Sequence, residues 1–157
     1  MRLALLPVST NKDYRGSPWA SMFLGLLGLL TIGPGVIHYF LPDGGAGVIA
    51  GLDLSDTAGG RPAIVGVFAW EGATQLAFGA AMAIVAWRYR TLVALFLLLS
   101  LIETALQAAA EWLFKPGAPD HHPPGSYGVL IAMPIIVLML VLSLLPQRGW
   151  TTKTMSG

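Results

Sequence analysis

Four long apolar runs constrain this chain more than any other feature. They cover roughly 18–41, 63–87, 91–114 and 127–145, each about 19–25 residues long. A helix rises ~1.5 Å per residue, so each run can cross a hydrocarbon core of ~30 Å. Backbone N–H and C=O groups find no water there, which leaves helices as the spanning form unless a barrel closes. Charge agrees with this reading. Only 11% of the residues are charged and 55% are hydrophobic, whereas a soluble domain carries about 25% charged residues. The expected fold is all-α: a polytopic membrane protein, four transmembrane helices in one bundle. Residues 1–157 form a single membrane domain with outer loops at 42–62 and 115–126.

The segments between the runs suggest an orientation. Arg2, Lys12 and Arg15 precede the first run, Arg88 and Arg90 separate the second from the third, and Arg148 and Lys153 follow the fourth. The other two loops hold Arg61 and Lys115 against Asp43, Asp53, Asp56 and Asp120. Positive charge concentrates on cytoplasmic loops, so an N-in/C-in topology is expected. Trp19, Trp87 and Trp150 then lie at the inner interface and Trp112 near the outer one. Residues 1–17 read as a retained tail, with the first helix as signal anchor. A net charge of +1 offers no basis for nucleic-acid binding. The lack of cysteine removes disulfides, thiolate catalysis, iron–sulfur clusters and c-type haem attachment.

The loop from Pro42 to Pro62 is rich in glycine and has two readings, a flexible linker or a lid, because long loops tend to be functional or disordered. The second outer loop contains Asp120, His121, His122, Pro123 and Pro124. Its prolines predict an extended segment. Adjacent side chains point to opposite sides of such a segment, which favours a solvated turn over a metal site. Pro34 and Pro134 predict kinks in the first and fourth helices, and Gly72, Gly79 and Ala83 form a small-residue stripe suited to close helix approach.

The candidate site lies between Ala69 and Glu111, in two helices joined by the short basic turn Arg88–Arg90. At 100° per residue, Ser100, Glu103, Thr104, Gln107 and Glu111 share one arc of the third helix. Glu71 and Gln75, four apart, share a face of the second with Thr74 beside them. Counting outward from the turn places Gln75 level with Glu103 and Glu71 level with Gln107, with Glu111 near the outer end and level with His38. The polar groups thus form a ladder from mid-membrane outward, while the inner half is almost purely apolar. Burying an acid at a helix centre costs about 2.5–3.5 kcal/mol, and an interhelical hydrogen bond returns about 0.6 kcal/mol. A ligand pocket therefore explains the carboxyls better than helix adhesion does. No lysine or arginine lies at their level, which argues against a strongly anionic ligand. Candidate ligand-binding residues are Trp70, Glu71, Thr74, Gln75, Glu103, Gln107 and Glu111, and candidate acid–base residues, should the protein be an enzyme, are His38, Glu71 and Glu103. His38 also has the simpler reading of an interfacial histidine bonded to a carbonyl or water. No metal ligand set is assigned, the cofactor is left open, and a b-type haem would need a second histidine in the spans.

In length, four spans and short inner turn, the chain resembles small bacterial four-helix membrane proteins of the DoxX-like kind, a resemblance of architecture without a specific motif. That resemblance implies a bacterial inner (cytoplasmic) membrane, multi-pass; some DoxX-like proteins are associated with quinone-linked oxidoreductases, and many have no known activity. His38, Trp70, Glu71 and Glu103 give a fainter similarity to the emopamil-binding group of membrane isomerases, which act on lipophilic substrates. The leading expectation is a binding or accessory module for a lipophilic molecule, quinone or isoprenoid-like, in a pocket open to the extracytoplasmic side. Two others are a membrane isomerase or cyclase and a structural subunit of a larger complex. Expected partners are the lipid bilayer, the lipophilic molecule, and a second copy of the chain or a larger membrane complex.

Overall fold

The computed structural model describes residues 9–55, 59–115 and 122–146. Arg2, Asp56, Asp120, His121, Arg148, Trp150 and Lys153, used above for orientation and loop chemistry, lie outside them. Four helices and no strand occur among the described residues: α1 (Pro18–Phe40), α2 (Arg61–Arg88), α3 (Val93–Ala109) and α4 (Pro124–Leu144). A proline sits in the first turn of α1, α2 and α4, where its missing N–H would have had no helical partner. The 3-10 turn Arg90–Leu92 leads into α3, and the π-helical turn Ala110–Phe114 ends it. Pro34 and Pro134 lie inside continuous helices.

Three helical stretches are long and apolar enough to cross a membrane: Pro18–Phe40, Arg90–Phe114 and Pro124–Leu144. The chain therefore reads as a multi-pass membrane protein. α2 is the longest helix at 28 residues but is less apolar, being rich in alanine and glycine and carrying Glu71 and Gln75.

Those small residues determine what α2 packs against. Ser21, Gly28 and Gly35 recur every seven residues on α1, and Gly72, Gly79 and Ala86 do so on α2. The two sets meet in antiparallel register. Ser21 Oγ donates to the Ala86 carbonyl at 2.9 Å. A Cβ added to Gly28 would lie 2.7 Å from the Gly79 carbonyl oxygen, and one added to Gly79 would lie 2.7 Å from that of Gly28. One on Gly72 would come within 2.8 Å of the Gly35 oxygen. A seven-residue period keeps one seam facing its partner along the helix, and glycine at each crossing lets the backbones touch. α1 consequently packs more extensively with α2 than any other pair does, and α3 packs next most with α4. α2 and α3, although joined by the short turn, touch only sparsely. The fold is two antiparallel helix pairs laid side by side.

The two halves of the bundle differ. At one end Ala20, Leu24, Met82, Val85, Val93, Leu97 and Ile136 form a solid apolar core. Residues 9–17 strap this end. Asn11 exchanges hydrogen bonds with Thr91, its N–H donating to Thr91 Oγ1 at 3.1 Å. The Ser17 N–H donates to the Leu142 carbonyl at 3.2 Å. At the other end, residues 43–52 turn back over the tips of α1 and α2. Asp43 accepts from the N–H groups of Gly45 and Gly47 at 2.9 and 3.1 Å, bonds that hold its carboxyl below the usual carboxylate range. Gly44 and Gly45 adopt positive φ inside this turn, and a side chain at either would also strike Phe68 or Ile37.

Candidate functional site

The polar arc of α3 faces a cavity of about 330 Å³ between the two helix pairs. Ser100, Glu103, Thr104 and Gln107 line one wall, spaced so that a single helical face presents them all. Ile102 and Leu106, on the other side of α3, are exposed. Gln75 and Met82 enter from α2, Thr31 and Pro34 with Leu27 and Leu30 from α1, and Gly125 and Gly128 from α4. The cavity adjoins the apolar core, sharing Met82 with it, and extends toward the other half of the bundle. An added Cβ at Gly125 or Gly128 would meet open space, so the α4 wall is low because it lacks side chains there.

Most hydroxyl hydrogens around the cavity are already engaged. Ser100 Oγ donates to Met82 Sδ at 3.3 Å, Thr104 Oγ1 to the Ser100 carbonyl at 2.7 Å, and Thr31 Oγ1 to the Leu27 carbonyl at 2.9 Å. Gln75 Nε2 donates along α2 to Glu71 Oε1 at 3.1 Å. That bond orients the amide, and Gln75 Oε1 is buried with no hydrogen-bond partner. Glu71 lies close enough to Glu103 for the two carboxyls to act on each other electrostatically.

The structure brings some of the expected residues together and separates others. Gln75, Glu103 and Gln107 line the same cavity. The bond that Gln75 makes runs to Glu71 on its own helix, rather than across to α3. Trp70, Glu71 and Thr74 are exposed, Trp70 by 75%, and do not line the cavity. The reason is rotational. Gly72 must face α1, and Trp70 and Thr74, two positions either side of it, then point about 160° away, whereas Glu71, about 100° away, keeps within about 40° of Gln75. Thr74 Oγ1 simply caps the Trp70 carbonyl at 3.2 Å.

His38 is buried at 7% exposure beneath the turn of residues 43–52. Its Nδ1 lies 2.6 Å from the Gly44 carbonyl, and its ring stacks on Phe68 at 5.1 Å. A carbonyl only accepts, so Nδ1 carries the hydrogen. The loop thus closes over His38, and its residues do not contribute to the cavity wall. Glu111 sits in the π-helical turn, half-buried, with Oε2 lacking a hydrogen-bond partner. Neither His38 nor Glu111 lines the cavity.

Two features were absent from the expectations. The α1 wall, Leu27 to Pro34, follows from the seven-residue match of Ser21, Gly28 and Gly35 to α2, a period visible in the sequence once both helices are compared. The other is an aromatic cluster where α3 meets α4. Trp112 stacks on His122 at 4.5 Å, both approach Tyr127 edge-on, and Trp112 Nε1 donates to the Ser126 carbonyl at 3.3 Å. The π-helical turn, closed by the Lys115 N–H to the Ala110 carbonyl at 2.7 Å, places Trp112 for that contact. No family model, curated protein or solved structure matches the chain.

Proposed function

We propose that this is a bacterial inner-membrane protein in which all four helices span the bilayer, with both termini cytoplasmic. We infer further that its cavity binds the polar head of a lipophilic small molecule, quinone or isoprenoid-like, as a binding or accessory module. The observation that carries this reading is the cavity itself: apolar walls with a few converging polar groups, at the lower end of the ~300–1,000 Å³ typical of ligand pockets. Such a volume suits a ring or head group. A hydrocarbon tail would leave through the seam between the helix pairs, where packing is sparse.

The α1–α2 seam supports α2 as the fourth span. Its contacts run from Ser21–Ala86 to Gly35–Gly72, a length of roughly 21 Å at 1.5 Å per residue, so α2 must lie along the same axis as the apolar α1. Binding is favoured over acid–base catalysis by the distribution of titratable groups. Glu103 is the carboxyl that lines the cavity, Glu71 is exposed and bonded to Gln75, and His38 is committed to Gly44.

The test is thermal stability of the detergent-solubilised protein against short-chain quinones, hydroquinones and prenyl alcohols. At least one class raises the melting temperature of the wild type, and Gly128→Phe, which places a ring where Gly128 leaves open space, abolishes that gain. Absence of stabilisation by every class would refute the proposal.

A further inference from the structure

The hydrogen-bond inventory of the cavity narrows its ligand, on the assumption that the binding role above is right. We propose that the cavity selects a head group that donates hydrogen bonds, a hydroxyl-bearing lipophile such as a prenyl alcohol or a hydroquinone, over one that only accepts them. The hydroxyl hydrogens of Thr31, Ser100 and Thr104 all point to acceptors within the protein. One amide hydrogen of Gln75 goes to Glu71. The three hydroxyls therefore have only oxygen lone pairs left for a ligand, and Gln75 Oε1, buried and without a partner, belongs to a residue of the same wall. Glu103 adds a carboxyl group to the same wall, whose carbonyl oxygen accepts in either protonation state. Against these acceptors stand the Gln107 amide and the second amide hydrogen of Gln75, and no lysine, arginine or histidine lines the cavity.

A head with only carbonyl or ether oxygens would face this wall oxygen to oxygen and leave buried acceptors unpaired, at a desolvation cost of about 1–3 kcal/mol for each. A hydroxyl reaching Gln75 Oε1 satisfies that acceptor and takes up the place that no protein group fills. The preference is set by the direction of hydrogen bonds, so it holds for any skeleton that fits the volume.

Matched pairs isolate this effect from size and hydrophobicity. The solubilised protein is titrated with a prenyl alcohol and its methyl ether, and with a short-chain hydroquinone and its dimethyl ether. The hydroxyl member of each pair binds more tightly by roughly three- to tenfold in apparent Kd per hydroxyl. In Gln75→Met, which keeps the length of the side chain and lacks the acceptor, the ratio within each pair shrinks toward one. Equal binding of alcohol and ether, or tighter binding of the ether, overturns this inference and leaves the binding role standing. Failure of both members of both pairs to bind overturns the inference and the binding role together. A lipophilic amine that binds where the alcohol does not overturns the hydroxyl assignment in favour of a cationic head. The wild-type pairs decide the matter even if the Gln75 variant does not fold.

Discussion

Gly28 and Gly79 face each other so closely that either backbone oxygen lies where the other's Cβ would go. The obstacle is backbone, which cannot rotate away as a side-chain tip can. Gly28→Ala or Gly79→Ala should therefore destabilise the protein by about 1–3 kcal/mol, the usual cost of overpacking. Gly66→Ala, on the same α2 but with open space around its Cβ, should cost nothing and gain up to ~1 kcal/mol of helix propensity. Thermal melts in one detergent check both. Tyr14 offers a pH test at the strapped end. Burial pushes its phenol up to about 12 from 10.0, with the Ser143 side chain a smaller opposing influence. The folded state thus holds the phenolic proton more tightly than the unfolded chain does. The resulting stability is fully present below pH 10 and is lost as pH rises from about 10 through about 12. Wild type should lose stability over that window more steeply than Tyr14→Phe. Parallel curves would show that the phenol does not contribute.

The helices themselves were legible in the sequence, because long apolar runs bounded by proline and charge have few other forms. The polar arc of α3 was legible too, since Ser100, Glu103, Thr104 and Gln107 follow from helical periodicity alone. Which helix faces which was not. The turn at Arg88–Arg90 suggested that α2 pairs with α3, yet the glycines of α2 match small residues on α1, and that match rotates Trp70 and Thr74 outward while Glu71 stays beside Gln75. α4 is apolar on every side, so its periodicity could not mark Gly125 and Gly128 as cavity positions. The proposed spanning role of α2 has a direct test. The chain has no cysteine, so single cysteines report without background. Val48→Cys, in the exposed turn after α1, and Arg90→Cys, in the turn after α2, should be labelled by an impermeant maleimide from opposite faces of the membrane. Labelling of both from one face would place α2 outside the bilayer.

Taken together, the two pairs divide the labour of the molecule. The glycine seam of α1 and α2 and the apolar core with its strap make a close-packed base. The other half stays open because α4 supplies glycine where α3 supplies polar side chains. Loop 43–52 secures the tips of α1 and α2 through Asp43, Gly44 and His38, and leaves the cavity to the helices. This arrangement places Glu103 and Gln75 in the wall of one space, which is why we propose a bound molecule for them in place of adhesion between helices. Native mass spectrometry of the gently detergent-extracted protein addresses that claim most directly. The account predicts a small-molecule adduct on the wild type that collisional activation releases, and its loss in Gly128→Phe. A bare wild-type chain under conditions that preserve bound lipids, or an adduct that Gly128→Phe retains in full, would contradict it.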